Sequence, residues 1–150
     1  MRRQANKLQK ILLAVDGSES CNKAIGKVVD LAQDVNSEIT VMTVIEEGLS
    51  MQLGASKSQV ESEVEEMEEV KEKGINAAAN CADAFNDIAK INTITKNGNP
   101  AARICEEAKS GDYDFVVVAD KGHSAVKKFF LGSTTEKVVR HCEKTVMVVK

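Results

Sequence analysis

The chain has 150 residues, of which 43% are hydrophobic and 29% are charged. This length and apolar content suffice for one sizeable core, so we predict a single domain over residues 1–150. The formal net charge of -3 lacks the large positive balance that nucleic acids and anionic membranes attract, and we expect neither as a partner.

The N-terminus and the cysteines limit the compartment and the chemistry. The apolar run 11–15 is ended at once by Asp16, which makes it too short for a signal peptide or a membrane span. We therefore expect a cytoplasmic protein. The four cysteines are widely separated and contain no CxxC pair, which argues against a zinc site and a redox motif. Reduced cysteines in the core or on helices are predicted instead.

The first third of the chain predicts a strand, a helix and a second strand. Lys10 to Val15 is a continuous apolar run, typical of a strand buried on both faces of a parallel sheet. Ser18 can cap a helix whose apolar positions recur at three- and four-residue spacing. Those positions are Cys21, Ala24, Ile25, Val28, Leu31, Ala32 and Val35. Residues 37–45 are rich in β-branched side chains and predict the second strand, and 46–57 predict a loop.

The middle of the chain predicts helix. Residues 58–73 are strongly acidic, yet Val60, Val64 and Met67 keep helical spacing, which is typical of a solvated helix face. Residues 77–90 are again helical in composition. The two pieces form either one long helix interrupted near Gly74 or two helices, and we favour the break at Gly74.

The last third predicts three more strands and two helices. Residues 91–96 alternate apolar and polar side chains, and 114–119 are a continuous apolar run. Asn99 and Pro100 form a cap and first turn for a helix that Gly111 ends. A helix at 134–142 is predicted to turn Val138 and Val139 inward, and 145–149 is the last strand.

Strict alternation of strands and helices predicts an α/β fold. Right-handed crossovers place helices on both faces, so we expect an open five-stranded parallel sheet. Ligands of such sheets bind at the carboxyl ends of the strands, where the strand order reverses. Two segments lie at the carboxyl ends of predicted strands, namely residues 15–18 and residues 119–134.

The second of these segments predicts an anion site. Residues 119–134 begin at the end of a buried strand, continue through a basic stretch and end where Gly132-Ser133-Thr134 begins a helix. Backbone N–H groups at a helix N-terminus bind anions, and glycine lets a phosphate approach closely. On spacing alone, Gly132 and Ser133 could equally serve only as a helix cap. The motifs GxGxxG, GxxxxGK[ST] and GxSxG are all absent.

These segments resemble the universal stress protein family over nearly the whole chain. The similar stretches are ILLAVDGSES, NGNPAARICEEA and VVVADKGHSAVKKFFLGSTTEKVVRHCEKTVMVVK. ATP-binding members carry G-x2-G-x9-G-[ST] between the fourth strand and the fourth helix. Here Gly122 and Gly132 match the second and third glycines, Ser133 follows, and Ala119 occupies the first position. The resemblance implies a Rossmann-like fold of the adenine nucleotide alpha hydrolase type.

The resemblance also implies the nucleotide contacts. Asp16 corresponds to the acidic residue on the ribose or adenine side, Val44 to an apolar residue of the adenine pocket, and the Gly122 and Gly132 segments to the phosphate cradle. The full predicted set is Ala14, Val15, Asp16, Val44, Ala119, Lys121, Gly122, Gly132, Ser133 and Thr134. Asp16 could also be only a turn former and Val44 only a core residue. The methyl group of Ala119 would crowd a nucleotide only if the backbone there needed positive φ.

Two functions follow from these features. The first is a regulatory or stress-response protein that binds ATP, ADP or AMP, with Mg²⁺ accompanying ATP and at most slow hydrolysis. The second is a protein-interaction module with an empty cleft. No dedicated base or metal cluster supports a true hydrolase.

We also expect a homodimer through the C-terminal strand. That strand is apolar on both faces, and as the last element it is expected at a sheet edge that invites pairing. The resemblance implies the same, because members of the family commonly pair their last strands across a two-fold axis.

Overall fold

The fold was analysed in a computed structural model that describes residues 9–33, 37–46, 54, 56–85, 90–121 and 131–150. Strands and helices alternate in the order β1 (Gln9–Ala14), α1 (Glu19–Gln33), β2 (Ser37–Ile45), α2 (Lys57–Phe85), β3 (Lys90–Asn97), α3 (Pro100–Ser110), β4 (Phe115–Ala119), α4 (Ser133–His141) and β5 (Thr145–Val149). This order confirms the predicted α/β alternation. Most of the loop predicted at 46–57 lies outside the described residues.

The five strands form one parallel sheet in the order β3-β2-β1-β4-β5. The order reverses between β1 and β4, which places a crevice at their carboxyl ends. One face of the sheet packs against α1 and α2, and the other against α3 and α4. Leu12 and Leu13, adjacent in β1, are both fully buried, one on each face. The open five-stranded parallel sheet covered on both faces is thus confirmed.

Helix caps position the elements that follow the strands. The Ser18 hydroxyl accepts a hydrogen bond from the Cys21 N–H at 3.2 Å, and Asn99 Oδ1 accepts one from the Ala102 N–H at 3.1 Å. Gly111 is the C-cap of α3, as predicted, but its φ of -84° is open to any residue. A Cβ there would overlap a ring carbon of Tyr113, so the close approach of this ring explains the glycine.

Two helix predictions were wrong. Residues 57–85 form one helix of 29 residues without a break at Gly74. A helical glycine costs only about 1 kcal/mol relative to alanine, and α2 gains more than this by packing on β2 and β3 with Cys81 fully buried. In α4, Val138 is buried but Val139 is 45% exposed. Adjacent helical residues point about 100° apart, so the core receives only one of them.

β5 lies at one edge of the sheet, as predicted, and pairs with β4 alone among the strands that the structure describes. No helix in the described ranges is long and apolar enough to cross a membrane.

Candidate functional site

A cavity of about 320 Å³ opens at the carboxyl ends of β1, β2 and β4. The N-terminal ends of α3 and α4 close its sides, because both helices begin at the same edge of the sheet at which these strands end. Its lining residues are Ala14, Val15, Asp16, Cys21, Met42, Val44, Glu46, Pro100, Ile104, Val118, Ala119, Lys121, Gly132, Ser133, Thr134 and Thr135. This is the crevice at which parallel α/β sheets bind ligands.

Nine of the ten residues predicted from the sequence line this one cavity. They come from four separate stretches of chain, which meet because β1, β2 and β4 are neighbours and parallel and α4 begins at the same edge of the sheet. The tenth residue, Gly122, lies outside the described residues, as does the basic stretch that follows it.

The wall formed by the end of β1 is a tight turn. Asp16 Oδ1 accepts the Ser18 N–H at 2.9 Å, and Gly17 between them has a φ of +79°. A Cβ at Gly17 would lie 3.1 Å from the Lys73 carbonyl oxygen, so α2 also packs closely here. Asp16 therefore has the predicted turn-forming contact, and its carboxylate lies on the cavity wall at the same time.

The opposite wall is the N-terminus of α4. Gly132 is the N-cap residue with extended backbone, and its N–H donates to the Asp120 carbonyl at 2.7 Å. Ser133, Thr134 and Thr135 open the helix, so their N–H groups have no carbonyl of their own helix to bind. Backbone donors and hydroxyl groups at a helix N-terminus make this wall suitable for an anion.

Thr135 ties the helix to the sheet. Its buried hydroxyl donates to the Ala119 carbonyl at 2.7 Å, which fixes the first turn of α4 against the end of β4. Sequence analysis did not single out Thr135, because its partner is a carbonyl sixteen residues earlier and leaves no local sequence signal.

Ala119 keeps an ordinary strand conformation. It is the last residue of β4, paired with Val149, and Asp112 is the one non-glycine residue with positive φ in the described part of the chain. The methyl group therefore causes no backbone strain where the family motif has glycine.

The cavity has an apolar side and a polar side. Met42, Val44, Ile104 and Val118 supply apolar side chains, and the start of α4 supplies hydroxyl groups. The ionisable groups in the lining are the carboxylates of Asp16 and Glu46, the Lys121 ammonium and the Cys21 thiol. Such a surface suits a ligand with a flat apolar ring at one end and a negative group at the other.

Residues from α3 were not predicted for the site. Pro100 and Ile104 line the cavity, although their pattern indicated only a first helical turn and a core position. The signal was available, because α3 follows β3 and must also begin at the carboxyl edge of the sheet. Which strand ends lie close enough to share a cavity depends on the strand order, which the sequence pattern left open.

The comparison with protein families decides the classification. The sequence model of the family described as "Universal stress protein family" matches residues 7–150 of this chain. The chain belongs to this family. Universal stress protein YxiE of Bacillus subtilis is 30% identical over 145 residues, covering 94% of this chain and 98% of that protein.

Solved universal stress protein structures share the fold. UspA from Lactobacillus plantarum superposes with a TM-score of 0.80 at 21% identity, covering 95% of this chain and 97% of that one. A family protein from Arabidopsis thaliana, solved with AMP bound, gives a TM-score of 0.67 at 22% identity, covering 95% and 91%. At these identities the likeness establishes the fold alone.

The cysteines of this universal stress protein are free, as predicted, but they are not scattered in space. Cys21 on α1 and Cys81 on α2 are neighbours, and so are Cys105 on α3 and Cys142 at the end of α4, on the other face of the sheet. Burial raises the pKa of the Cys21 thiol to about 11, although the backbone N–H of Asp16 partly opposes this. No group of three His, Cys, Asp or Glu in the described ranges could hold a metal ion.

Replacing Thr135 with valine tests the tie between helix and sheet. Thr135→Val leaves the buried Ala119 carbonyl without this donor, and we expect it to lower the free energy of unfolding by about 1–3 kcal/mol. Thr134→Val, at a half-exposed neighbouring position, is the control and should change it by less than about 0.5 kcal/mol. Urea unfolding of both variants provides the measurement. Equal small losses would mean that the Thr135 hydrogen bond does not secure α4.

Proposed function

We propose that this universal stress protein binds an adenine nucleotide, ATP, ADP or AMP, in the cavity at the carboxyl ends of β1, β2 and β4, and acts as a regulatory or stress-response module. The observation that carries the proposal is the pairing of an apolar slot with the N-terminus of α4 inside one cavity. The AMP bound to the Arabidopsis relative supports the same ligand class.

The residues divide between the two ends of a nucleotide. The adenine ring packs against Val44 and the other apolar side chains, and Asp16 accepts hydrogen bonds on the ribose or adenine side. The phosphates lie against Gly132, Ser133 and Thr134, where helix N–H groups and hydroxyls donate, with Lys121 adding a positive charge. Gly122 is proposed to belong to the same cradle.

Magnesium would enter on the nucleotide. Among the described residues there is no group of three potential metal ligands. Mg²⁺ commonly binds through substrate phosphates and one or two carboxylates, and the Asp16 and Glu46 carboxylates line the cavity. The proposed site is therefore compatible with Mg–ATP, and AMP needs no metal ion to bind there.

Isothermal titration with ATP, ADP and AMP tests the proposal, with GTP as the control for base selectivity. We expect measurable heat and a raised melting temperature with adenine nucleotides, since a ligand that binds the folded state stabilises it. No heat and no thermal shift at millimolar nucleotide would reject nucleotide binding and favour the protein-interaction function.

Restoring the motif glycine tests whether Ala119 impairs binding. Because Ala119 is an extended strand residue, Ala119→Gly relieves no strain, and we expect adenine nucleotide affinity to stay within about threefold. The free energy of unfolding should fall by about 0.5–1 kcal/mol, because glycine loses more backbone entropy. Calorimetry and urea melts measure the two effects. An affinity gain of tenfold or more would mean that the methyl group obstructs the nucleotide.

We further propose that two copies pair through β5. Along a strand, the backbone N–H and C=O groups of successive residues point alternately to one side and to the other. The Val149 carbonyl accepts the Asp120 N–H, so the backbone groups of Val149 point toward β4. The N–H groups of Val146 and Val148 therefore point to the outer edge of the sheet. A second copy of β5 can bond to them across a two-fold axis.

Proline at Val148 tests this pairing. Val148→Pro removes an outward donor without removing a β4–β5 hydrogen bond, so we expect the variant to sediment as a monomer while staying folded. Val148→Ala keeps the donor and should remain a dimer. Sedimentation velocity measures both, and a wild-type chain that is monomeric at tens of micromolar would reject the dimer.

A further inference from the structure

The side chains that join α3 to the end of α4 form a row with a thiol pair at one end. Cys105, Lys109 and Asp112 follow one another along one side of α3 and the turn after it. They meet Cys142, Glu143 and Lys144, which come directly after α4. In that order, the three pairs are two neighbouring thiols, an ion pair of 3.1 Å and an ion pair of 2.9 Å.

This row fixes the register of the two segments. The ion pairs are exposed and add little stability by themselves, but they place successive residues of both segments side by side. The two thiols are therefore held next to each other by the packing of α3 against the end of α4. Both cysteines are half-buried and pack at the rim of the apolar cluster beneath α3 and α4.

We propose that Cys105 and Cys142 are an oxidative modification site, which closes to an intramolecular disulfide when the protein meets a low-molecular-weight disulfide such as glutathione disulfide. The product clamps α3 to the residue that ends α4, on the face of the sheet that also carries the two helix N-termini of the cavity. The inference does not depend on nucleotide binding.

The reaction is an exchange in two steps. One cysteine thiolate attacks a sulfur of glutathione disulfide, whose S–S bond breaks, and one glutathione thiolate leaves. The second cysteine then gives its proton to solvent and attacks the protein-side sulfur of the mixed disulfide, releasing the second glutathione. Two protein thiols are oxidised and one glutathione disulfide is reduced to two glutathione thiols.

The other two cysteines provide an internal control. Cys21 and Cys81 are also neighbours, but at 2% and 1% exposure they present much less surface to a dissolved oxidant than the half-buried Cys105 and Cys142 do. Burial raises the pKa of Cys105 to about 11, and the exchange should therefore accelerate as the pH is raised.

The experiment treats the reduced, folded full-length chain with glutathione disulfide, unfolds it in acid with a thiol-alkylating reagent and maps the peptides. We expect a peptide containing Cys105 joined to one containing Cys142, with Cys21 and Cys81 both alkylated. The melting temperature should rise by about 5–10 °C on oxidation and return with reductant, because the bond closes a loop of nearly forty residues.

Variants separate the pair from general oxidation. Cys142→Ser should abolish both the cross-linked peptide and the rise in melting temperature, whereas Cys81→Ala should keep them. A wild-type protein in which Cys105 and Cys142 remain free or carry separate glutathione adducts would overturn the proposal, as would a Cys21–Cys81 disulfide. The peptide map needs no variant, and it reads the same whether or not nucleotide binds.

Discussion

Gly132→Val is expected to weaken adenine nucleotide binding by about 100-fold, equivalent to about 2.7 kcal/mol, while lowering the free energy of unfolding by about 1 kcal/mol or less. Gly132 has a φ of -60° and a ψ of 152°, which valine adopts readily. Its N–H bond to the Asp120 carbonyl also survives the change. The backbone conformation thus does not require glycine here, and under the proposed function the missing side chain leaves room for the phosphate.

The valine side chain would occupy the space beside the first N–H groups of α4, where the proposed phosphate approaches. Gly26→Val is the matched control, because Gly26 lies on α1 with nothing within 4 Å of an added Cβ. It should leave nucleotide affinity unchanged. Calorimetry and urea melts on both variants separate the two effects. If Gly132→Val lowers the free energy of unfolding as much as the free energy of binding, Gly132 serves only as a helix cap.

The order of strands and helices in this fold could be predicted because each of them has its own local sequence signal. The β-branched run of β2 and the apolar run of β5 predicted their bounds to the residue. The caps at Ser18 and Asn99 were also predictable, since their hydroxyl and amide groups bond within three residues. Gly74 misled the prediction because helix propensity is weak and tertiary packing outweighs it.

Contacts between distant segments were beyond the sequence pattern. Periodicity indicates which face of a helix is buried but not which neighbour covers it, so the meeting of Cys105 with Cys142 had no local signal. The same holds for Thr135, whose partner is a carbonyl sixteen residues earlier. The family motif located the cavity residues on β1, β2, β4 and α4, whereas Pro100 and Ile104 required the strand order.

Alkaline pH is expected to destabilise the reduced protein through its two most buried thiols. Burial raises the pKa of Cys21 to about 11 and that of Cys81 to about 12, against about 8.5 in an unfolded chain. The folded state therefore holds these protons more tightly. Its stability is complete below about pH 8.5 and falls as the pH rises toward the raised pKa values, as the unfolded chain releases protons first.

Between pH 8 and pH 10.5 we expect the free energy of unfolding to fall by about 3–5 kcal/mol, since each such thiol contributes about 1.4 kcal/mol per pH unit. Urea melts in the presence of reductant measure this loss. Cys81→Ala removes one thiol and should lessen this loss by about 2 kcal/mol, although the variant begins less stable. Cys105, whose pKa is also raised, contributes in both proteins.

Val28→Ala serves as the control, because Val28 is fully buried in the same apolar cluster and carries no titratable group. It should lower stability by the same amount at both pH values, since only its packing is lost. If wild type and Cys81→Ala lose stability in parallel, Cys81 is excluded as a source of the pH dependence, and the other thiols and the lysine and tyrosine side chains that titrate in the same range remain.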